Sequence, residues 1–361
     1  MKKGEPLKPM LQKIDEDKEH KDDYLVNLKS LKCKEYPFLS TSEVHVKEIY
    51  PSLKFDGSFS SGKTKDEVDK PMTDHALGQL CNKLEIGTGY IRKCLPFPEL
   101  VNYNLNKWIS YTEDRDLMVR CNETKVRAIL SNRYKRLDND LVAHHTLDKL
   151  MDMGAEIHQS QYDGDYLKLT AVTPELEGEV KKGDVVQGGV TITNSEIGTQ
   201  TLLIQPFLYR LVCTNGMVVP SILNRFYQKH LGKVLIDLER DTQAIKIIHK
   251  MKKQLELVND PKVFQENLQK LKDAEKVKTN STKIVKLFKS HSVSDSEKAE
   301  IYAKLNRNIS EPYFETDHYS LANAITNYAN SDDISEDRSR FLQELGGLII
   351  FAHNPMAVKL R

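Results

Sequence analysis

The chain lacks most of the features that assign a chemistry at sight. Its five cysteines, Cys33, Cys81, Cys94, Cys121 and Cys213, are odd in number, widely spaced and never in a C-x-x-C pair. That usage excludes a disulfide framework and a cysteine-built zinc site, and it fits thiols kept in a reducing cytoplasm. Global charge is missing too: 53 basic against 52 acidic residues leave +1. A uniformly basic nucleic-acid binder is therefore excluded, and any electrostatic site must be a local patch. No apolar run is long enough to cross a bilayer. The N-terminal stretch begins with basic residues but has no apolar core, so it does not read as a secretory signal. Neither an internal repeat nor a long low-complexity tract is present.

What the 361 residues do contain is an ordinary soluble balance, 39% hydrophobic and 29% charged, enough to bury a substantial core. Residues 1–30 carry mixed charge with few apolar positions and are expected to be flexible. Residues 31–114 read as a loop and helical region. Within it, 57–73 form a loop, Asp74 heads a helix holding Ala76, Leu77, Leu80 and Leu84, and Pro96 and Pro98 end that unit. Residues 115–220 carry a β signal in three hairpin-like pairs: 117–120 with 126–130, 155–162 with 166–172, and 185–193 with 201–212. A helix over 140–153 separates the first two. Residues 221–361 read as helical, closing with an amphipathic pair at 317–330 and 334–352. The predicted fold is α+β, a central antiparallel sheet flanked by helices, with one continuous globular unit from about 70 to 355.

Several motifs carry possible chemistry. Gly57 to Thr64 matches the phosphate-loop pattern G-x-x-x-x-G-K-[ST], so Gly62, Lys63 and Thr64 are candidate nucleotide contacts, with Asp237 as a metal-holding partner. Its surroundings argue for coincidence: a proline and charges replace the buried strand that should precede it, and Pro71 interrupts the helix that should follow. The stretch from Leu77 to Ile91 has the outline of a helix-turn-helix that would present Arg92 and Lys93. Pro96 comes too soon for groove reading, which favours a packing helical hairpin. His144 and His145 point about 100° apart on one helix and cannot share a metal. Cys213 sits at an apparent strand end, where thiols are mostly inert.

Two clusters remain. Arg120, Lys125, Arg127, Arg133, Tyr134, Lys135 and Arg136 gather on a predicted hairpin, where the cations could follow a phosphate backbone while Tyr134 stacks on a base. Lys246, Lys250, Lys252, Lys253, Lys270, Lys272, Lys276 and Lys278 form a second basic zone, which reads first as a solvated helix face. A polar set, Asn194, Ser195, Glu196, Arg210 and Asn215, gathers at apparent sheet ends and could build a small pocket, or simply a turn and a bulge. Asn215-Gly216 most simply supplies a left-handed turn.

The segment Gly188 to Val219, together with Thr73-Asp74-His75-Ala76, Lys125 to Ser131 and Leu321 to Asn330, resembles the phage- and plasmid-type family known only as a domain of unknown function. The likeness runs over roughly 70–350. It implies an origin in phages or mobile elements and names no reaction. With the basic hairpin, it leads to the expectation of a non-catalytic accessory protein that binds single-stranded DNA in recombination or replication, annealing strands in its most specific form. Homo-oligomers would suit that role, and no cofactor, metal or membrane is expected. The alternatives are a host-inhibitory interaction protein and a nucleotide-dependent enzyme built on Lys63.

Overall fold

The computed structural model describes residues 6–34, 51–56, 67–211, 215–218, 226–228, 237–308, 310–311 and 313–358. Gly57 to Thr64, with Gly62, Lys63 and Thr64, lies outside the described residues, as do Cys213 and the side chains of Asn215 and Asp237. The chain begins with helix α1 (Leu7–Glu19) and strand β1 (Asp22–Asn27), followed by β2 (Lys32–Lys34), β3 (Ser52–Asp56) and β4 (Glu67–Pro71). Helices α2 (Asp74–Lys83), α3 (Thr88–Cys94) and α4 (Pro98–Tyr111) lead into the hairpin β5 (Asp116–Cys121) and β6 (Val126–Ser131). Strand order β1-β5-β6 makes one three-stranded sheet and β2-β3-β4 another. Helices α2, α3 and α4 bury Leu77, Leu80, Ile91, Val101, Leu105 and Ile109 in a core shared with both sheets. Thr73 starts α2 by accepting from the Ala76 amide, the usual use of a threonine at a helix start.

Two expectations are corrected here. Residues 6–30 are folded, not flexible: α1 buries Met10 and Ile14, and β1 pairs along its whole length with β5. Their few apolar side chains suffice because tertiary partners supply the remaining contacts. Residues 31–114 also contain strands, with 67–71 forming β4 where a loop was expected.

Helix α5 (Asn139–Asp152) leads into the larger sheet, β7 (Glu156–Tyr162), β8 (Tyr166–Lys181), β9 (Asp184–Ser195), β10 (Leu202–Arg210), β11 (Asn215–Val218) and β12 (Phe226–Gln228), before helix α6 (Asp237–Val258). The order is β11-β10-β9-β8-β7, with β12 also on β10, all antiparallel. The predicted single sheet over 115–220 is thus two sheets, because β5 pairs with β1 and β6 with β5, and neither pairs with β7. Leu167, Leu169, Val190, Ile192 and Ile204 pack beneath α1, α5 and α6. The other face holds a registered row, Gln159, Thr170, Thr191 and Gln205, every member buried.

The rest is helical: α7 (Pro261–Ala274), α8 (Ser281–Ser290), α9 (Asp295–Lys304), α10 (His318–Tyr328) and α11 (Glu336–Phe351), with the short pair β13 (Lys278–Asn280) and β14 (Glu315–Asp317). These helices bury Phe264, Leu268, Ile325, Leu345 and others against Leu176, Val180, Val186 and Leu208. The fold is α+β, as expected. No helix among the described residues is long and apolar enough to cross a membrane.

Glycines mark the tightest packing. A Cβ on Gly189 would overlap the carbonyl oxygen of Ala171 on the neighbouring strand, whereas Gly89, in α3, faces open space. Gly189→Ala should therefore cost about 3 kcal/mol through forced overpacking. Gly89→Ala should stabilise by about 0.5 kcal/mol, by restricting the unfolded chain. Urea unfolding of the two variants checks both signs.

Candidate nucleic-acid interface

The turn Asn194 to Gly198 follows β9 and is held from several sides. Glu196 is buried, and its carboxylate accepts from Lys21 Nζ at 2.9 Å, Arg127 Nη1 at 3.0 Å and the backbone amide of Asn139 at 2.8 Å. Asn139 is the first residue of α5, so Glu196 caps that helix from another element and meets its positive end. The Glu196 carbonyl accepts from Arg120 Nη1 at 2.8 Å and from the Tyr134 hydroxyl at 3.0 Å. Asn194 Nδ2 donates to the Leu137 carbonyl and to Asn139 Oδ1, both at 2.9 Å. Ser195 Oγ accepts from the Thr199 hydroxyl at 2.7 Å. Gln79 and His75 of α2 reach the Ile197 carbonyl at 2.8 and 3.0 Å. Gly198 closes the turn at φ +80°, where L side chains are strained.

Charge alternates through this cluster. Arg120 is 2% exposed and joins Asp23 at 2.7 Å and Asp138 at 2.5 Å; Arg136 also reaches Asp23, at 2.9 Å. Arg127 is 4% exposed and pairs with Asp165 as well as Glu196. Three buried polar atoms here have no hydrogen-bond partner: Arg127 Nη2, Asn139 Nδ2 and Asn194 Oδ1. Burial pushes the Asp138 carboxyl upward, but the Arg120 charge and hydrogen bond, with Arg136, outweigh it and hold the group at about 2.

The basic hairpin predicted from sequence is therefore not one exposed patch. Its inward alternation takes Arg120 and Arg127 into the interior, and Tyr134 is buried with its hydroxyl donating to Ser195 and Glu196, so it offers no face to a base. Lys125 is exposed at the tight turn of the hairpin. Arg133 is exposed at the opposite, open end, and Lys135 and Arg136 are half-buried. The polar set divides likewise: Asn194, Ser195 and Glu196 form the turn just described, while Arg210 lies at the far end of the sheet against Asp184. Gly216 lies in β11 without a positive φ, contrary to the expected left-handed turn. Glycine is needed there because a Cβ would strike the Phe207 ring. Arg92 pairs with Asp74, which ties α3 to α2 as a packing hairpin.

Sequence reading missed a different surface, at the open end of the β1-β5-β6 sheet. Asn27 pairs with Asp116 and Leu117 with Ser131, so Lys29, Arg115 and Arg133 continue past the last registered residues of three adjacent strands. The Leu28 amide donates to the Arg115 carbonyl at 2.8 Å, fixing that junction. Lys83 ends α2 close by. Burial and the charges of Arg115 and Arg133 push its ammonium below the ordinary lysine value. Among the described residues none of Lys29, Lys83, Arg115 and Arg133 has an acidic partner.

Helix α4 runs into this corner, and Lys29 Nζ donates to its Ser110 carbonyl at 2.7 Å. While Val101, Leu105 and Ile109 face the core, its outer stripe presents Tyr103, 62% exposed, Trp108, 40%, and Tyr111, 82%. Lys107 lies among them with Nζ 5.6 Å from the Tyr103 ring centre, and Trp108 meets Tyr111 edge to face at 5.8 Å. An open cleft of about 590 Å³ lined by Phe97, Glu99, Leu100 and Tyr103 extends the stripe. The signal was present in the sequence as aromatic residues at helical spacing, but helical spacing alone does not say which stripe faces water.

Burial pushes the thiols of Cys33 and Cys121 up to about 12 and that of Cys81 up to about 11, away from thiolate reactivity. Among the described residues no group of three or more His, Cys, Asp or Glu is placed to hold a metal ion.

Two outcomes follow from the buried cluster. Glu196→Ala should cost about 3–5 kcal/mol, because it takes from buried Arg127 one of its two carboxylates, from Lys21 its ion pair and from α5 its cap. Urea unfolding measures this loss. Because the folded Asp138 carboxyl lies below its ordinary value of roughly 4, its contribution is complete above that value. The contribution is lost as pH falls from about 4 towards about 2. Thermal midpoints across that window should fall more steeply in the native protein than in Asp138→Asn.

The family model described as "Domain of unknown function (DUF932)" matches residues 127–340. No curated protein and no solved structure matches the chain. The matched span opens at Arg127 in the buried cluster and takes in the whole larger sheet and the helices through α10. Since it covers more than half of the 361 residues, the chain belongs to the DUF932 family.

Proposed function

We propose that this protein is a cytoplasmic accessory factor of a phage or other mobile element that binds single-stranded DNA without covalent chemistry of its own. The observation that carries the reading is the group Lys29, Lys83, Arg115 and Arg133, none with an acidic partner among the described residues, with Lys29 bonded to Ser110 of α4, the helix whose outer face exposes Trp108 and Tyr111. Like charges crowded together raise the free energy of the unliganded surface, and a polyanion relieves it. Exposed rings beside such cations give bases a stacking face that is tolerant of sequence, the combination that non-specific single-strand binders use. Duplex DNA keeps its bases stacked inside and would use only the cations. The mobile-element origin rests on the resemblance of the turn and helix motifs. The cytoplasmic setting rests on buried, protonated thiols.

The acidic link Glu113 and Asp114, between α4 and β5, borders this corner and limits its net charge. That gives the surface an internal control.

Anisotropy of a labelled oligothymidylate should show binding that weakens with salt. Trp108→Ala and Tyr111→Ala should each weaken it about tenfold, in keeping with about 1–3 kcal/mol per stacked base. The double variant Arg115→Ala/Arg133→Ala should reduce the slope of log affinity against log salt by about 1.4. Glu113→Gln/Asp114→Asn should tighten binding. Absence of binding at low salt, or binding indifferent to all these surface changes, would overturn the reading.

A further inference from the structure

A second cationic site lies at the other end of the molecule. The end of the β8–β9 hairpin, the C-terminal end of α9 and helix α10 enclose a cleft of about 320 Å³, lined among others by Lys181, Arg210, Lys304, Arg307, Asn323 and Asn327. Four cations line it, against one lining carboxylate, that of Glu315. Three of the four also pair with carboxylates beside the cleft, Lys181 with Glu275 at 3.4 Å, Arg307 with Glu311 at 3.7 Å and Arg210 with Asp184 at 2.5 Å. Glu315 is engaged as well, accepting from the Tyr313 hydroxyl at 2.7 Å.

The cations are held at fixed places. Arg210 donates from Nε and Nη2 to the two carboxylate oxygens of buried Asp184 at 2.5 and 2.8 Å, and the Tyr319 hydroxyl donates to the same carboxylate at 2.9 Å. The Lys181 ammonium and the Arg210 guanidinium each lie 5.8 Å from the Tyr319 ring centre. Arg307 lies over Phe314 at 5.6 Å. Lys304 is exposed and has no acidic partner among the described residues. Opposite them, Asn323 and Asn327 stand one turn apart on α10, so both amides face the same side.

We infer that this cleft binds a phosphorylated small molecule, a nucleotide or a related phosphomonoester, with its phosphate held by Lys181, Lys304 and Arg307. Arginine and lysine donors satisfy a phosphate dianion through charge-assisted hydrogen bonds. The volume falls in the range of small-molecule sites, roughly 300–1,000 Å³. A polar lining with two amides suits a ligand whose remainder carries hydrogen-bonding edges, such as a ribose or base. The site is separate from the aromatic corner, and neither reading depends on the other.

The probe is deoxyadenosine monophosphate, with inorganic phosphate and sulfate as comparisons at equal ionic strength. The nucleotide should raise the thermal midpoint and titrate in calorimetry, whereas sulfate should not. The double variant Lys304→Ala/Arg307→Ala, both at exposed positions, should weaken it about tenfold or more. Asn327→Ala should weaken the nucleotide but not inorganic phosphate. Lys181→Ala provides a second cationic variant should the first be poorly folded. A nucleotide that binds no better than sulfate overturns the inference. So does a cationic variant that loses oligothymidylate and the mononucleotide in parallel, since that would assign these cations to a polynucleotide track. Loss of oligothymidylate binding in the Trp108 and Tyr111 variants alone leaves this site intact.

Discussion

The Glu196 carboxylate is the contact on which the arrangement of the chain depends. One buried anion receives Lys21 from the link between α1 and β1, Arg127 from β6 and the first amide of α5. Three segments far apart in sequence thus meet at one side chain. A carboxylate out of water is costly unless its lone pairs are filled, and here both oxygens accept from charged or helix-terminal donors. The cost is offset only when every partner is in place. The cluster therefore acts as a test of correct assembly: a chain with β1 unpaired from β5 would leave Glu196 or Arg120 short of a partner. Its orphaned atoms, Arg127 Nη2 and the amide atoms of Asn139 and Asn194, show that the fit is set by geometry and not by completeness of pairing.

This constraint explains how a nearly neutral chain divides its charge. Arg120 and Arg127 are consumed inside the molecule, each with at least two acidic partners. The cations left for solvent collect where strands end, at Lys29, Arg115 and Arg133, and around the far hairpin end at Lys181, Lys304 and Arg307. At the far hairpin end Lys181 lies over the Tyr319 ring and Arg307 over Phe314, and each also pairs with a carboxylate, Glu275 and Glu311. A count of lysines and arginines along the sequence cannot separate these two populations.

Much of the fold was legible because its signals are local. The Asp163-Gly164 turn takes the φ +98° its sequence calls for, and β7 and β8 pair across it. The helices over 140–153 and 317–330 follow from spacing and start signals such as Asp317, which accepts from the Ser320 amide. What escaped is non-local. Nothing in residues 22–27 announces that their partner is the strand at 116–121, so the N-terminus read as flexible and the two sheets as one. Arg120 and Arg127, alternating with apolar neighbours, read as part of a basic cluster open to a phosphate backbone. Both faces of that hairpin are covered, and the alternation marks ion pairs instead. Asn194, Ser195 and Glu196 could read either as a small pocket or as a turn, and in the structure their contacts join elements.

The same turn lies at the opposite end of the larger sheet from the cationic cleft. Strands β8 and β9 pair from Tyr166 and Ser195 at one end to Lys181 and Asp184 at the other. At about 3.3 Å per residue, the 16-residue β8 spans about 50 Å, less where its bulges shorten it. The Glu196 cluster stands at one end of this ribbon and the cationic cleft at the other. A ligand in the cleft thus contacts nothing that contacts Glu196. Between them runs a hydrogen-bonded hairpin whose register shifts near Thr173 and Glu177. A bulge of that kind is where a long ribbon bends, and here it marks the change from packing on α5 and α6 to packing on α7 and α10. Each end is thus anchored by its own core. The cationic cleft and the Glu196 cluster are therefore held by separate packing, one against α7 and α10 and the other against α5 and α6.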